Sequence, residues 1–153
     1  MGLGFSFEET MSGSYYLLDE PLVERAISFS IGARVDGMRQ FLKDRTARIE
    51  GEVYVEGLAD HRPLQGTLGL KLLDERRLPY SFTFRANDGR EYRLQGQKDV
   101  TMIALADTMT TLPASLYDDT GREIGRCVLR FDVRQDLTSF LRSWRPRISA
   151  WTA

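Results

Sequence analysis

The sequence is poor in the side chains that bind metals or form cross-links. Its 153 residues include one histidine, His61, and one cysteine, Cys127. A single cysteine excludes an internal disulfide and fits a reducing compartment, so we expect a cytoplasmic protein. Zinc sites combine several histidine, cysteine or carboxylate ligands, so we expect no metal site. His61 is interpreted as a surface side chain, and Cys127 as a small core residue.

The sequence also lacks a charge excess and a long apolar run. Its 21 basic and 22 acidic residues leave a formal net charge of −1. Nucleic-acid-binding surfaces usually carry a basic excess, so we expect no nucleic-acid partner. A membrane-spanning helix needs about 18 consecutive apolar residues, and the sequence has no such run. The first residues show no secretory signal, and the composition predicts a soluble protein with one domain.

Apolar and polar residues alternate along most of the chain. The clearest stretch is a hairpin at 79–98, in which aromatic residues alternate with polar ones before an Asp88-Gly89 turn. Asp-Gly tolerates the positive φ that tight hairpin turns need. Successive side chains of a strand point to opposite faces, so Tyr92 and Lys98 are expected on the same inward face. The alternative is a one-residue bulge near Gly96, which would turn Lys98 outward.

The alternation predicts about eight strands, with short helices only after the second strand and the last. The absence of strand–helix alternation favours an antiparallel sheet, so the predicted fold is mainly β, an antiparallel barrel or closed sandwich formed by one domain, 1–153. The C-terminal helix is expected at about 134–145, followed by a tail at 146–153. A strand end and loop are expected from Gly13 to Pro21, and a turn from Ala59 to Pro63.

Three glycines fall on the predicted inner face of the sheet, at Gly51, Gly66 and Gly96. Glycine permits the bends that a closing sheet needs, and it also leaves room for a ligand. We favour bending, because glycine in a curved strand needs no ligand to explain it.

Two charged residues share the apolar parity of their strands. Glu9 follows Phe5 and Phe7 in the first strand, and Lys98 lies near the end of the hairpin. Burying either charge alone is costly, so the sequence predicts an ion pair inside the barrel, with Asp107 as a candidate third member. Three roles are open for it: fixing strand register, anchoring the polar group of an apolar ligand, or proton transfer. The first role needs no ligand.

Three segments in order along the chain carry a family resemblance: Phe7 to Gly13, Tyr92 to Val100 and Asp107 to Leu112. The first resembles a phenylalanine–x–glutamate–x–methionine–x–glycine opening. The second is similar to a tyrosine followed by glycine–x–lysine–acidic–valine, and the third to an aspartate and threonine-rich segment. All three belong to a domain attached to some flavin-dependent glucose-methanol-choline oxidoreductases of the cholesterol-oxidase-like group.

The resemblance implies an accessory module rather than an oxidase. In such proteins a different domain holds the flavin, and the accessory domain supplies no catalytic residues. Gly2-Leu3-Gly4 lacks the third glycine and the preceding strand of a dinucleotide fingerprint, so we expect no cofactor. The resemblance also implies an oxidoreductase as a partner.

The predicted function is a non-catalytic, lipocalin-like module for an apolar small molecule, a steroid or lipid, or for an enzyme acting on one. The candidate ligand-binding residues are Glu9, Lys98, Asp107, Tyr92 and Phe82, and no catalytic residue is assigned. One alternative is a structural or interaction domain without a cavity, as a homodimer. Another is a small barrel enzyme that uses Glu9 and Lys98 for proton transfer.

The C-terminal segment from Phe140 to Trp151 mixes tryptophan with arginine. Such a mixture is found in interfacial membrane anchors and in partner-docking helices. The single apolar stripe favours a helix packed on the core, so we expect no binding to a membrane surface. Trp151 lies beyond Pro146 and outside that stripe, which makes the segment a candidate for forming a homo-oligomer.

Overall fold

A computed structural model describes residues 2–70, 77–99, 111–131 and 145–149 of the chain. These residues form nine strands and one helix. The elements are β1 (Gly2–Leu17), β2 (Glu20–Val35), α1 (Met38–Asp44), β3 (Thr46–Val55), β4 (Ala59–Gly69), β5 (Arg77–Arg85), β6 (Glu91–Asp99), β7 (Thr111–Tyr117), β8 (Glu123–Arg130) and β9 (Arg145–Ser149). The helix is far too short and polar to cross a membrane, and the described residues contain no other.

The first eight strands close into an antiparallel barrel. Each strand from β1 to β7 pairs with the next one along the chain, and β8 pairs back with β1, which closes the ring. The short strand β9 adds to the edge of β1 outside this ring. The prediction of a mainly β, antiparallel barrel of about eight strands is therefore confirmed.

Alternation along the strands produces the core. Side chains at every second position are buried, as in β5, where Leu78, Tyr80, Phe82 and Phe84 are 1–6% exposed. Aromatic rings occupy much of the interior, with the rings of Phe29 and Phe82 packed edge to face at 5.2 Å between centroids. Such burial supplies most of the free energy that holds a barrel of this size together.

The inner glycines lie where neighbouring strands approach most closely. A Cβ atom on Gly51 would overlap the carbonyl oxygen of Ser30, and one on Gly66 would overlap that of Ser81. A Cβ atom on Gly96 would overlap the backbone of β7. The positions are therefore needed for close strand packing, which supports the bending interpretation over room for a ligand.

The strand end predicted within 13–21 is present, but the predicted loop is too long, because most of this range belongs to two long strands. β1 continues to Leu17 and β2 begins at Glu20, with a turn at 18–19. Gly13 and the nearby serines have low strand propensity. This stretch of β1 nevertheless pairs on both edges, with β2 and with β8, and tertiary pairing overrides local preference.

The predicted turn at 59–63 is also wrong. The chain turns at 56–58, where Gly57 has a φ of 80°, and β4 begins at Ala59. His61 has a left-handed φ of 50° inside β4, next to the point where the pairing with β3 shifts register. The turn residues that suggested a loop therefore mark an irregular strand.

The predicted C-terminal helix at 134–145 lies outside the described residues except for its last position. Arg145 begins β9, so the helix does not include that residue, and part of the predicted tail forms a strand. β8 pairs with β1 only from Ser12 to Leu17, which leaves the edge at Gly2–Ser6 for β9. The helix predicted after the second strand is present as α1.

The two ends of the barrel differ in their connections. At one end, here called the turn end, short turns join β1 to β2, β3 to β4, β5 to β6 and β7 to β8. Two of these turns bond to each other: the Asn87 backbone N–H donates to Leu58 O at 3.0 Å, and the Asp60 N–H donates to Asn87 Oδ1 at 2.9 Å. The opposite end, the long-connection end, carries α1 and the longer connections.

Candidate functional site

Three polar side chains meet inside the barrel, one from each of β1, β5 and β6. Glu9 Oε2 accepts a hydrogen bond from Lys98 Nζ at 3.2 Å, and Glu9 Oε1 accepts one from the Tyr80 hydroxyl at 2.5 Å. The Lys98 ammonium also lies 5.2 Å from the centroid of the Tyr80 ring. We call Glu9, Tyr80 and Lys98 the buried cluster.

Strand periodicity explains why both charges point inward. In β6 the side chains of Tyr92, Leu94 and Lys98 are buried, and the pairing with β5 runs without a bulge from Arg85↔Glu91 to Arg77↔Asp99. A bulge would have moved Lys98 to the outer face. Gly96 lies directly opposite Tyr80 in this pairing, at the position where β6 packs closely against β7.

The buried cluster is shielded from water. The side chains of Lys98 and Glu9 are 3% and 8% exposed, and Tyr80 is 2% exposed. Glu9 lies opposite Ile31 of β2 and between the inward residues Phe7 and Met11 of its own strand. A charge pair in such apolar surroundings contributes little net stability, whereas removing one partner typically costs about 3–5 kcal/mol.

Burial and Glu9 together control the Tyr80 hydroxyl. Removal from water raises the pKa of Tyr80 well above its usual value of 10.0, and the nearby Glu9 charge and the hydrogen bond to it raise it further. Tyr80 therefore stays protonated and acts as a hydrogen-bond donor to Glu9 at neutral pH.

Glu9 and Lys98 differ in how much of their hydrogen-bonding capacity is used within the buried cluster. Both oxygens of Glu9 already accept a hydrogen bond, whereas an ammonium group has three N–H donors. Within the described parts of the chain, Lys98 uses one of its donors, on Glu9. With respect to the described residues, the cluster thus offers two further donors, and the buried side chains around it are mostly apolar.

The wall of the barrel is incomplete beside this cluster, as far as the described strands show. β8 pairs with β1 from Ser12 onward and β9 pairs with it up to Ser6, which leaves 7–11 with no strand partner on that edge. β6 likewise pairs with β7 only as far as Gly96, two residues before Lys98. Glu9 and Lys98 therefore flank the same stretch, toward the long-connection end.

The five predicted ligand-binding residues divide into three groups. Glu9 and Lys98 are brought together, and Phe82 lies two positions from Tyr80 on the same face. Tyr92 is buried but stacks on Phe84, and six residues at about 3.4 Å each separate it from Lys98 along β6. Asp107 lies outside the described residues. Whether any of them contacts a ligand stays a prediction.

Tyr80 is the member that sequence reasoning missed. The alternation of aromatic and polar residues in the hairpin at 79–98 predicts an inward Tyr80 ring, but it assigns no role to the hydroxyl. A signal was available, because a buried tyrosine hydroxyl usually finds a partner. The partner is 71 positions away in the sequence, so its identity depends on how the barrel closes.

The predicted positions of Cys127 in the core and His61 on the surface are confirmed. Cys127 is 3% exposed, and burial raises the pKa of its thiol to about 12, so it does not provide a reactive thiolate near neutral pH. His61 is exposed and stacks on Tyr54. In the described part of the chain, no group of three histidine, cysteine or carboxylate side chains is arranged to hold a metal ion.

A shallow depression of about 920 Å³ lies on the outer wall of the barrel. It runs across β1, β8, β7 and β6 and is lined by side chains that include Tyr16, Gln97, Pro113 and Val128. Leu22, at its edge, is 98% exposed. None of the buried cluster lines this depression, so it is a separate surface feature.

Comparison with known proteins adds no relative. No family model matches the chain, and no curated protein and no solved structure matches it. The resemblance to the accessory domain of cholesterol-oxidase-like oxidoreductases therefore stays a prediction.

Proposed function

We propose that this protein binds an apolar small molecule, a steroid or a lipid, with its polar group held by the buried cluster. The protein then acts as a non-catalytic carrier or as a partner of an enzyme that acts on that molecule. The observation that carries the proposal is Lys98: its ammonium is buried, yet two of its donors have no acceptor among the described residues. Buried donors left unmatched are costly, and a ligand oxygen would satisfy them.

The surroundings of the buried cluster support the same proposal. Toward the long-connection end, the inward side chains of β2 and β3 include Ala33 and Ala47, which fill less volume than the aromatic rings elsewhere in the core. Apolar walls with a few converging polar groups are typical of small-molecule sites. Among the described strands, the edge of β1 at 7–11 has no partner, and Glu9 lies within that stretch.

Proton transfer by Glu9 and Lys98 is less well supported by the contacts. Both Glu9 oxygens already accept hydrogen bonds, and Tyr80 holds its proton. A general base needs an oxygen that can reach the substrate proton. Turnover that depends on pH and disappears in Glu9→Gln would favour the enzyme alternative.

Two measurements test the proposed binding. Mass spectrometry of the natively purified protein should reveal a co-purifying steroid or lipid. Titration with the apolar dye Nile red should then show saturable binding that the extracted molecule displaces. A protein that carries no such molecule and does not bind the dye would contradict the proposal.

A double variant connects the binding to the buried cluster. Glu9→Gln/Lys98→Met removes both charges together and keeps an amide oxygen as acceptor for Tyr80. We expect it to fold and to bind the extracted ligand about tenfold more weakly, since a hydrogen bond to a charged group is lost. The matched control is Arg90→Met/Asp119→Asn, which removes an exposed ion pair far from the interior and should leave binding unchanged.

A second candidate function is self-association without a cavity. The described surface has exposed apolar side chains at Leu22, Val23 and Val128, beside the outer depression. A net charge near zero allows such surfaces to approach each other. Light scattering after size-exclusion chromatography should detect a dimer that Leu22→Asp converts to monomer; a monomeric wild type would remove this candidate.

A further inference from the structure

We infer that the polar group of the ligand is an uncharged oxygen acceptor, such as a ketone, an ester carbonyl or a hydroxyl, rather than a carboxylate. The inference rests on the proposed function and narrows its ligand class. It follows from the charge balance and the hydrogen-bond inventory of the buried cluster.

The charges of the buried cluster already cancel. Glu9 and Lys98 are the two buried charged residues of the described chain, and they pair with each other at 3.2 Å. Glu8 of β1 and Glu91 and Arg93 of β6 are exposed. Among the residues that the structure describes, the interior therefore holds one negative and one positive charge and no surplus of either.

A charged ligand would break this balance. A carboxylate placed against Lys98 would leave one net negative charge in an apolar interior, next to the existing carboxylate of Glu9. Uncompensated buried charges are strongly unfavourable, and two carboxylates that share a site repel each other. An uncharged oxygen accepts the same N–H donors without adding charge.

The hydrogen bonds of the buried cluster exclude a ligand whose polar group can only donate hydrogen bonds. Glu9 accepts from Tyr80 and from Lys98, so an incoming amine would compete with bonds that already exist. Within the buried cluster, the donors that have no partner among the described residues belong to Lys98. The ligand must therefore present an acceptor, and a cationic group would also lie against the ammonium.

Matched competitors for bound Nile red test this inference. Methyl dodecanoate and dodecanoic acid have the same acyl chain and differ in whether the polar group ionises, and dodecane has no polar group. With wild-type protein at neutral pH, we expect the ester to displace the dye at about tenfold lower concentration than the acid, because the acid must bury a charge or give it up. Dodecane should compete more weakly than the ester.

The variant Glu9→Gln changes the charge balance with little change in shape. It keeps an oxygen for the Tyr80 hydroxyl and removes the negative charge, which leaves Lys98 unpaired. We expect the preference to shift toward dodecanoic acid by about tenfold or more, since the carboxylate now neutralises the ammonium. In Glu9→Gln/Lys98→Met the ester should lose its advantage over dodecane. Thermal unfolding establishes that each variant is folded.

The outcomes separate the two proposals. If wild-type protein binds Nile red and dodecanoic acid displaces it better than the ester, the inference is wrong while the proposed function stands. If neither the dye nor any competitor binds, the proposed function fails. If Glu9→Gln does not fold, the order in which the three competitors displace Nile red from wild-type protein still tests the inference.

Discussion

At the turn end of the barrel, short turns bond to each other through backbone and amide groups, whereas toward the long-connection end Glu9, Tyr80 and Lys98 bond across the interior. The bonds of the turn end join uncharged groups near the surface. Those of the buried cluster join the charged Glu9 to the neutral Tyr80 hydroxyl and to the charged Lys98, which lie 71 and 89 positions away in the sequence. The neutral hydrogen bonds near the surface form wherever two turns have suitable local geometry. The hydrogen bonds of the buried cluster form only when the whole barrel has closed and each buried charge has a partner of opposite charge.

The comparison predicts that stability depends unequally on the two regions, with the largest loss from Glu9→Ala. This change leaves the Lys98 ammonium buried without its carboxylate, and we expect the free energy of unfolding to fall by about 3–5 kcal/mol. Urea unfolding measures it. Glu9→Gln/Lys98→Met should lose far less, within about 1 kcal/mol of wild type, because no uncompensated charge remains. Equal losses in both variants would show that packing rather than charge dominates here.

Tyr80→Phe should have the next largest effect. It keeps the ring beside Lys98 and removes only the hydroxyl that donates to Glu9. We expect a loss of about 1.5–3 kcal/mol in urea unfolding, because the acceptor is charged and buried. The matched control is Tyr92→Phe, whose ring is stacked on Phe84. A loss for Tyr92→Phe as large as for Tyr80→Phe would contradict the proposed importance of the hydroxyl bond to Glu9.

At the turn end, Asn87→Ala should cost less. The Asn87 side chain accepts from the Asp60 N–H at 2.9 Å, which ties the β5–β6 turn to the start of β4. Loss of one neutral hydrogen bond near the surface is expected to lower the free energy of unfolding by about 1 kcal/mol. If the same urea series shows a larger loss for Asn87→Ala than for Tyr80→Phe, the assignment of the stronger bonds to the buried cluster is wrong.

The smallest predicted effect is the dependence of stability on alkaline pH, which comes from two buried groups, Cys127 and Tyr80. Cys127 has a pKa raised from 9.0 to about 12 by burial, and Tyr80 has a pKa raised well above 10.0. Each group is held protonated by folding, so its contribution is complete below the unfolded pKa and is lost as pH rises toward the folded pKa. Stability should therefore fall from about pH 9 upward.

The two contributions can be measured separately. In urea unfolding at a series of pH values, Cys127→Ala should flatten the decline that begins near pH 9, and Tyr80→Phe the part above about pH 10. Both variants should keep a pH-independent difference from wild type below pH 8. A stability that does not change between pH 8 and 11 would contradict the burial of both groups.

Local patterns were sufficient to predict the barrel and the inward direction of Glu9 and Lys98. The pairing of β5 with β6 has no bulge, so period-two alternation can be followed from Tyr92 to Lys98 without error. Such patterns do not identify side-chain contacts between residues that come together only when the barrel closes. The Tyr80 hydroxyl meets Glu9 only because β1 and β5 face each other across the interior.

The sequence was misleading where pairing overrides propensity. Gly13 and its serine neighbours resemble a loop, yet β2 and β8 hold them in a strand. Arg145 and Pro146 carry no strand pattern, yet they pair with Ser6 and Phe5 on an edge that β8 leaves free. In both cases the deciding contacts are distant in the sequence, so no local window contains the information.

The pairing of β1 with both β2 and β8 has a consequence for how the chain folds during synthesis. The β1–β2 hairpin is local, but the second edge of β1, from Ser12 to Leu17, pairs only with Gly125–Arg130. Until those residues leave the ribosome, that edge displays unpaired backbone groups that another nascent chain could join. We therefore expect ring closure to be the slow and vulnerable step, so that coexpression with a chaperone raises the soluble yield.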